Sequence, residues 1–177
     1  MDQLLKACIK GDRKAQKHLY DRFKDKMFGV CLRYANNRQE AEDMLQEGFI
    51  KVFRDLKQYN GMGSLEGWIR RVIVHAAIDY LRSQRNWTEM HKIDPAVLQL
   101  PADERSDDGD LETGKMLIAL MQKLPPGFRA VLNMYVMEGF THQEIAARLG
   151  ISEGTSKSQL SRARQLMKKL FEQKLAT

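Results

Sequence analysis

The stretch Thr141–Leu170, THQEIAARLGISEGTSKSQLSRARQLMKKL, decides how this chain is read. Thr141 can cap a first helix, and Glu144 follows at the capping-box spacing of three. Ile145, Ala146 and Leu149 give that helix an apolar side. Gly150 ends it, because glycine enters the left-handed region without a Cβ penalty. Ile151 can anchor the turn, and Ser152 can cap a second helix. There Leu160, Ala163, Met167 and Leu170 recur at threes and fours as an inner stripe, while Lys157, Ser158, Ser161, Arg162 and Gln165 project away. No acidic residue occurs from Gly154 to Leu170. This is the pattern of a helix-turn-helix, whose second helix fits the DNA major groove, N-terminal residues at base edges and cations at phosphates. An ordinary helical hairpin with a solvated basic face fits the same residues. The order helix, glycine, cap, helix favours recognition.

Working outward, nearly all periodicity in the remaining sequence is helical, and no run alternates with period two. Asp12 can cap a long helix to about Tyr34, with Leu19, Phe23, Met27, Val30, Cys31 and Tyr34 inward, and a short helix near Asp2–Ile9 packs on the same group. Asn37 can cap the next helix, to about Leu56, with Ala41, Leu45, Val52 and Leu56 as its stripe. Tyr59-Asn60-Gly61-Met62-Gly63-Ser64 reads as a loop, and Ser64 can cap a further helix, Leu65 to about Arg82. From Trp87 to Gly114 the periodicity fails in a polar segment containing Pro95, Pro101 and the run Asp103–Asp110. Helix resumes at about Leu111–Lys123, and another is expected over Phe128–Met137 after Pro125-Pro126-Gly127. The expected fold is all-α: two small helical domains, 1–88 and 113–177, joined by a flexible acidic linker, 89–112, with the helix-turn-helix in the second.

Charge follows this division. The chain of 177 residues has a net charge of +6. Residues 1–90 hold 17 cations and 12 anions, residues 91–115 hold 3 and 7, and residues 116–177 hold 9 and 4. Two basic blocks flanking an acidic strip suit a nucleic-acid partner better than the total alone does. Cys8 and Cys31 are far apart, with no metal-ligand spacing, which argues against a disulfide framework or zinc site. No cofactor is expected. Without a long apolar run or signal segment, the chain is expected in the cytoplasm, with no membrane insertion. No HExxH, P-loop or GxSxG pattern occurs, and His18, His75, His91 and His142 are scattered, so an enzyme is not expected.

The first domain has two chemically distinct faces. On the helix after Ser64, Ile69, Val72, Ile73, Ala76 and Tyr80 gather on one side, and Arg71, His75, Asp79 and Arg82 on the other, with Trp68 at the border. An aromatic beside cations, next to a loop carrying Tyr59, suits single-stranded DNA, where bases stack and cations track the backbone. Trp68 and Tyr59 fit a purely core role equally well, and His75 alone fits a solvated helix position. Glu42, Asp43, Gln46 and Glu47 form an acidic face on the preceding helix. It can be simply solvated, or complement the helix dipole. It is wrong for DNA and suits a basic protein partner.

Together these stretches resemble one family. Ala41–Arg85 resembles region two of bacterial sigma factors and Leu124–Leu170 resembles region four, and a short chain with only a linker between them looks like the extracytoplasmic-function (ECF) group. The resemblance implies a sigma factor that directs RNA polymerase core to promoters and helps melt the −10 region. It implies docking on the polymerase β′ and β subunits, with Asp43, Gln46 and Glu47 on the β′ clamp. It implies −10 recognition and melting by Tyr59, Asn60, Ser64, Trp68, Arg71, His75 and Arg82. It implies −35 binding by Lys157, Ser158, Gln159, Ser161, Arg162 and Arg164, a linker threading near the RNA exit channel, and an anti-sigma factor as partner. Family members often carry asparagine at the position of His75, valine at Ser156 and arginine at Gln159, departures that bear on promoter sequence. The alternative is a stand-alone helix-turn-helix regulator that binds duplex DNA, often as a symmetric dimer.

Overall fold

A computed structural model describes residues 3–84 and 111–175, with side chains from residue 114 onward in the second stretch. All but the last two residues of the expected 89–112 linker lie outside these. Among the described residues there is no strand. The chain divides into two compact units, 1–80 and 81–177.

In the first unit, α1 (Gln3–Ile9) and α2 (Arg13–Tyr34) are joined at Asp12, whose carboxylate accepts from the amides of Lys14 and Ala15 at 2.8 and 3.1 Å. α1 buries Leu5 and Cys8 against the group and packs on α2. α3 (Arg38–Asp55) starts at Asn37, whose side chain accepts from the amide of Glu40 at 2.9 Å, and ends in a 3-10 turn, Leu56–Gln58. α4 (Leu65–Ser83) starts at Ser64, whose hydroxyl accepts from the amide of Gly67 at 3.0 Å. Each of these caps satisfies a helix-terminal N–H and is worth about 1 kcal/mol. Leu19, Phe23, Met27, Val30, Cys31 and Tyr34 of α2 are all buried, as the spacing predicts. On α4, Ile69, Ile73 and Ala76 are fully buried, while Val72 and Tyr80 are half-buried at the edge of the core. Burying each large aliphatic or aromatic side chain contributes about 1.5–3 kcal/mol.

In the second unit, α5 (Leu111–Gln122) and α6 (Pro126–Leu132) lead into a π-helical turn, Asn133–Met137. The helix expected over Phe128–Met137 thus starts two residues earlier and changes its hydrogen-bond register halfway. The amide of Glu138 donates to the carbonyl of Asn133, and the Asn133 side chain donates to the carbonyl of Arg129, at 3.1 and 3.0 Å. Arg129 is itself fully buried, and its Nη1 donates to the carbonyls of Gln122 and Leu124 at 3.1 and 3.4 Å, closing the end of α5. α7 (His142–Leu149) and α8 (Glu153–Leu175) form the helix-turn-helix. The core joins Leu120, Leu124 and Phe128 to Ala163, Leu166 and Leu170 of α8, with Met116, Leu132 and Met167 packed on it. Leu166 takes the central place that the spacing gives to Met167, which is half-buried.

Candidate nucleic-acid interface

The helix-turn-helix is built by local chemistry. The Thr141 hydroxyl accepts from the amide of Glu144 at 3.2 Å, and the Glu144 carboxylate accepts from the Thr141 amide at 2.8 Å and from its hydroxyl at 3.0 Å. These bonds, the amide first, lower the pKa of Glu144 below its ordinary value. Gly150 takes the left-handed conformation, φ 69° and ψ 37°, and its amide donates to the carbonyl of Ala146 at 2.9 Å. Ser152 accepts from the amide of Thr155 at 3.0 Å and so starts α8. Ile145 and Leu149 are buried beneath the turn. Nδ1 of His142 lies 2.9 Å from Oγ of the fully buried Ser156, tying α7 to the first turn of α8.

The solvent face of α8 carries Lys157, Ser161, Arg164 and Gln165, all exposed, with Ser158 and Arg162 half-buried at its margin. The Ser158 hydroxyl donates back to the carbonyl of Thr155 at 3.0 Å. Gln159 differs from the expectation: it is fully buried. It stands three residues after Ser156 and four before Ala163, both fully buried, so helical geometry turns it into the core rather than toward a groove. Its side chain is unavailable to a base edge in this conformation.

In the first unit, the loop before α4 is ordered by its own residues. Gly61 and Gly63 have φ of 81° and 77°. The Tyr59 hydroxyl donates to the carbonyl of Gly63 at 2.8 Å, and the Met62 amide donates to the Asn60 side chain at 3.0 Å. The Tyr59 and Trp68 rings lie 5.9 Å apart, centroid to centroid, tilted by 51°. Both are half-buried, so part of each ring remains open to solvent. Asn60, Ser64, Arg71, His75 and Arg82 are exposed, on the loop and along the outer face of α4. Met62, 80% exposed at the tip of the loop, belongs to this surface and was not singled out by sequence. Lys51 of α3 pairs with Asp79 of α4 at 2.7 Å, which removes one anion from the track.

The acidic face of α3 adjoins an open groove of about 570 Å³. Glu42, Gln46 and Glu47 are exposed and Asp43 is half-buried. Arg38 pairs with Glu42 at 2.8 Å, and Gln39 donates to Asp43 at 3.3 Å. The groove also takes in Tyr20 of α2 and Phe49, Ile50 and Phe53 of α3, with Ile50 62% exposed. Charge alone did not reveal this apolar half. A surface that joins carboxylates to exposed apolar groups suits a basic amphipathic partner helix. Thus α3 carries the acidic, partly apolar groove and α4 the exposed arginines beside the aromatic-bearing loop, while α8 carries the exposed basic face of the helix-turn-helix. Among the described residues no cluster of His, Cys, Asp and Glu could hold a metal, and no helix is long and apolar enough to cross a membrane.

Known proteins resemble this chain in sequence and in fold. Residues 19–86 match the family Sigma-70 region 2, and residues 114–167 match Sigma-70, region 4. The ECF RNA polymerase sigma factor SigE of Mycolicibacterium smegmatis is 33% identical over 147 residues, 81% of this chain and 56% of that protein. This chain therefore spans just over half the length of that relative. The RNA polymerase sigma-H factor of Pseudomonas aeruginosa is 28% identical over 180 residues, 96% of this chain and 93% of that protein. The sigma factor RpoE of Bartonella quintana, solved in complex with the anti-sigma factor NepR, shares the fold with a TM-score of 0.51. It is 18% identical, over 88% of this chain and 96% of that one. With the two regions in order, each on the helical unit that its chemistry suits, the chain belongs to the sigma-70 family of RNA polymerase sigma factors, in its ECF group.

Proposed function

We propose that this chain is a dissociable subunit that directs bacterial RNA polymerase to promoters and helps melt the −10 region. Residues 1–88 dock and melt, residues 89–112 link, and residues 113–177 bind the −35 element. The observation that carries the reading is the pairing, in one chain, of a capped helix-turn-helix with a first unit that presents both an acidic, partly apolar groove and an aromatic-bearing loop. Asp43 and Gln46, which line that groove, and Glu47 on the same helix meet the polymerase β′ subunit. Tyr59, Asn60, Ser64, Trp68, Arg71, His75 and Arg82 hold the melted strand, the rings stacking with bases and the arginines neutralising phosphates. Lys157, Ser158, Ser161, Arg162 and Arg164 meet the −35 duplex, where the second unit also lies near the β subunit. The phosphoryl chemistry belongs to the polymerase, and the chain works in the cytoplasm without a cofactor. The complex of the Bartonella quintana sigma factor with NepR supports an anti-sigma factor as a further partner of this chain.

Run-off transcription on a genomic fragment library tests the proposal. Defined transcripts should require both core polymerase and this chain. Tight, specific duplex binding by a symmetric dimer of the chain alone, with no transcript start that depends on it, would favour the stand-alone regulator.

A further inference from the structure

Tyr135 has no part in the roles assigned so far. It lies in the π-turn before the helix-turn-helix and is 38% exposed. In a continuous α-helix each residue advances by about 100°. The wider π-turn resets that phase and re-aims the side chains it carries. The Tyr135 ring meets two groups of the helix-turn-helix. It stacks on His142, centroids 4.6 Å apart and planes 23° from parallel. The Arg164 guanidinium lies 5.7 Å from its centroid. His142 is held in turn by Ser156, which is fully buried. Ser156, His142, Tyr135 and Arg164 therefore form a row that begins in the core and ends at an exposed cation on α8.

We propose that Tyr135 is a positioning residue for DNA binding: it holds Arg164 ready for a backbone phosphate, and His142, anchored by Ser156, holds Tyr135. The inference rests on the reading that places Arg164 at the DNA. A free arginine samples many rotamers and loses that freedom when it grips a phosphate. A guanidinium already lying on an aromatic face has lost part of it before DNA arrives. Arg164 stands three turns along α8 from its cap at Ser152, where phosphates rather than base edges are the expected contacts.

A double-mutant cycle on the full chain tests this, read by fluorescence anisotropy with a labelled mixed-sequence duplex about two helical turns long. Arg164→Ala should weaken binding and lower the salt dependence, log K against log salt, by about 0.9. Tyr135→Leu should weaken binding by about two- to fivefold, the range of an exposed cation–π contact, and leave the salt slope in place, because the released arginine still reaches a phosphate. Tyr135→Phe should bind as the parent does. In the Arg164→Ala background, Tyr135→Leu should have no further effect. An equal loss in both backgrounds would overturn the inference, since the ring would then act on the fold or touch DNA itself. So would a Tyr135→Phe loss equal to that of Tyr135→Leu, which would mark a hydroxyl contact. If Arg164→Ala alone changes neither affinity nor slope, the placement of Arg164 at DNA fails and the inference fails with it; run-off transcription judges the wider function separately. Circular dichroism checks folding, and Tyr135→Met replaces the leucine variant should that one unfold.

Discussion

Gly150 and Gly154 lie four residues apart, and the structure gives them opposite expectations. Gly150 holds φ 69°, and a Cβ built there meets nothing within 4 Å. Alanine at 150 therefore suffers no clash, only the cost of the left-handed backbone, about 1–2 kcal/mol. Its stiffer unfolded chain offsets about 0.4–1 kcal/mol of that. The net loss expected for Gly150→Ala is about 1 kcal/mol, a rise of about fivefold in hydrogen exchange for amides that open with this unit. Asparagine tolerates the left-handed region, so Gly150→Asn should fall between glycine and alanine. Gly154 is helical, and its built Cβ lies 3.7 Å from Oγ of Ser152, an ordinary contact. Gly154→Ala should leave protection unchanged or raise it, by up to about 1 kcal/mol. Hydrogen exchange read by mass spectrometry on peptides from α7 and α8 isolates this unit from the other. Equal protection in Gly150→Ala and the parent would refute the reasoning. So would Gly150→Asn exchanging faster than Gly150→Ala.

Reversing charge at Asp43 and Glu47 should weaken binding to core polymerase in a fluorescence titration while costing the fold no more than about 0.5 kcal/mol, because both sit on the outer face of α3; unchanged affinity would remove α3 from the docking surface. Arg162→Ala should cost about 1–3 kcal/mol and relax preference at one base pair if the guanidinium grips a guanine, whereas an even loss over all sequences marks a phosphate contact. A folded Tyr59→Ala, Arg71→Ala or Trp68→Ala variant should bind core normally and open the promoter poorly, read by permanganate reactivity of thymines; normal opening by all three would refute the melting role. Burial pushes the Cys31 thiol from its ordinary 9.0 up to about 12. The folded state thus holds the neutral thiol where the unfolded chain would ionise. Its contribution to stability is complete below about pH 9 and is lost as pH rises toward about 12, so alkaline unfolding of Cys31→Ser, with its non-ionising hydroxyl, should show a shallower decline over that window.

Features fixed by neighbours in sequence were legible in advance. Asp12, Asn37, Ser64, Thr141 and Ser152 cap helices because a short polar side chain reaches an amide two or three residues on, and spacing alone reveals that. The inner and outer faces of α4 followed from the same arithmetic, with Val72 and Tyr80 at the edge. Features that depend on distant partners were not. The apolar half of the groove on α3 needs Tyr20 of α2 beside Phe49 of α3, rings 4.8 Å apart and 29 positions distant in sequence. Arg129 counts as a surface cation in any tally of charge, yet the carbonyls closing α5 hold it in the core. The register change into the π-turn was not expected either, although the Asn133 bond to the Arg129 carbonyl beside it spans only four residues; no glycine or proline marks the turn, and Met134 is fully buried within it. Gln159 was legible by geometry: its place between Ser156 and Ala163 outweighs the polarity that suggests a groove contact.

The close approach at Gly48 sets a mechanical tolerance. A Cβ at that position would lie 2.4 Å from Cδ1 of Ile73 and 3.6 Å from its Cα, so the surface of α3 is stripped to backbone where α4 crosses it. The ion pair between Lys51 and Asp79 pins the same two helices farther along. The helix proposed to grip the polymerase and the helix proposed to line the melted strand therefore meet through the Ile73 side chain, with the backbone of α4 close behind it. Little slack remains to absorb a displacement. Under the proposed roles, a change of grip on α3 should reach α4 as a tilt, so that engaging the groove also aligns the face proposed for the melted strand.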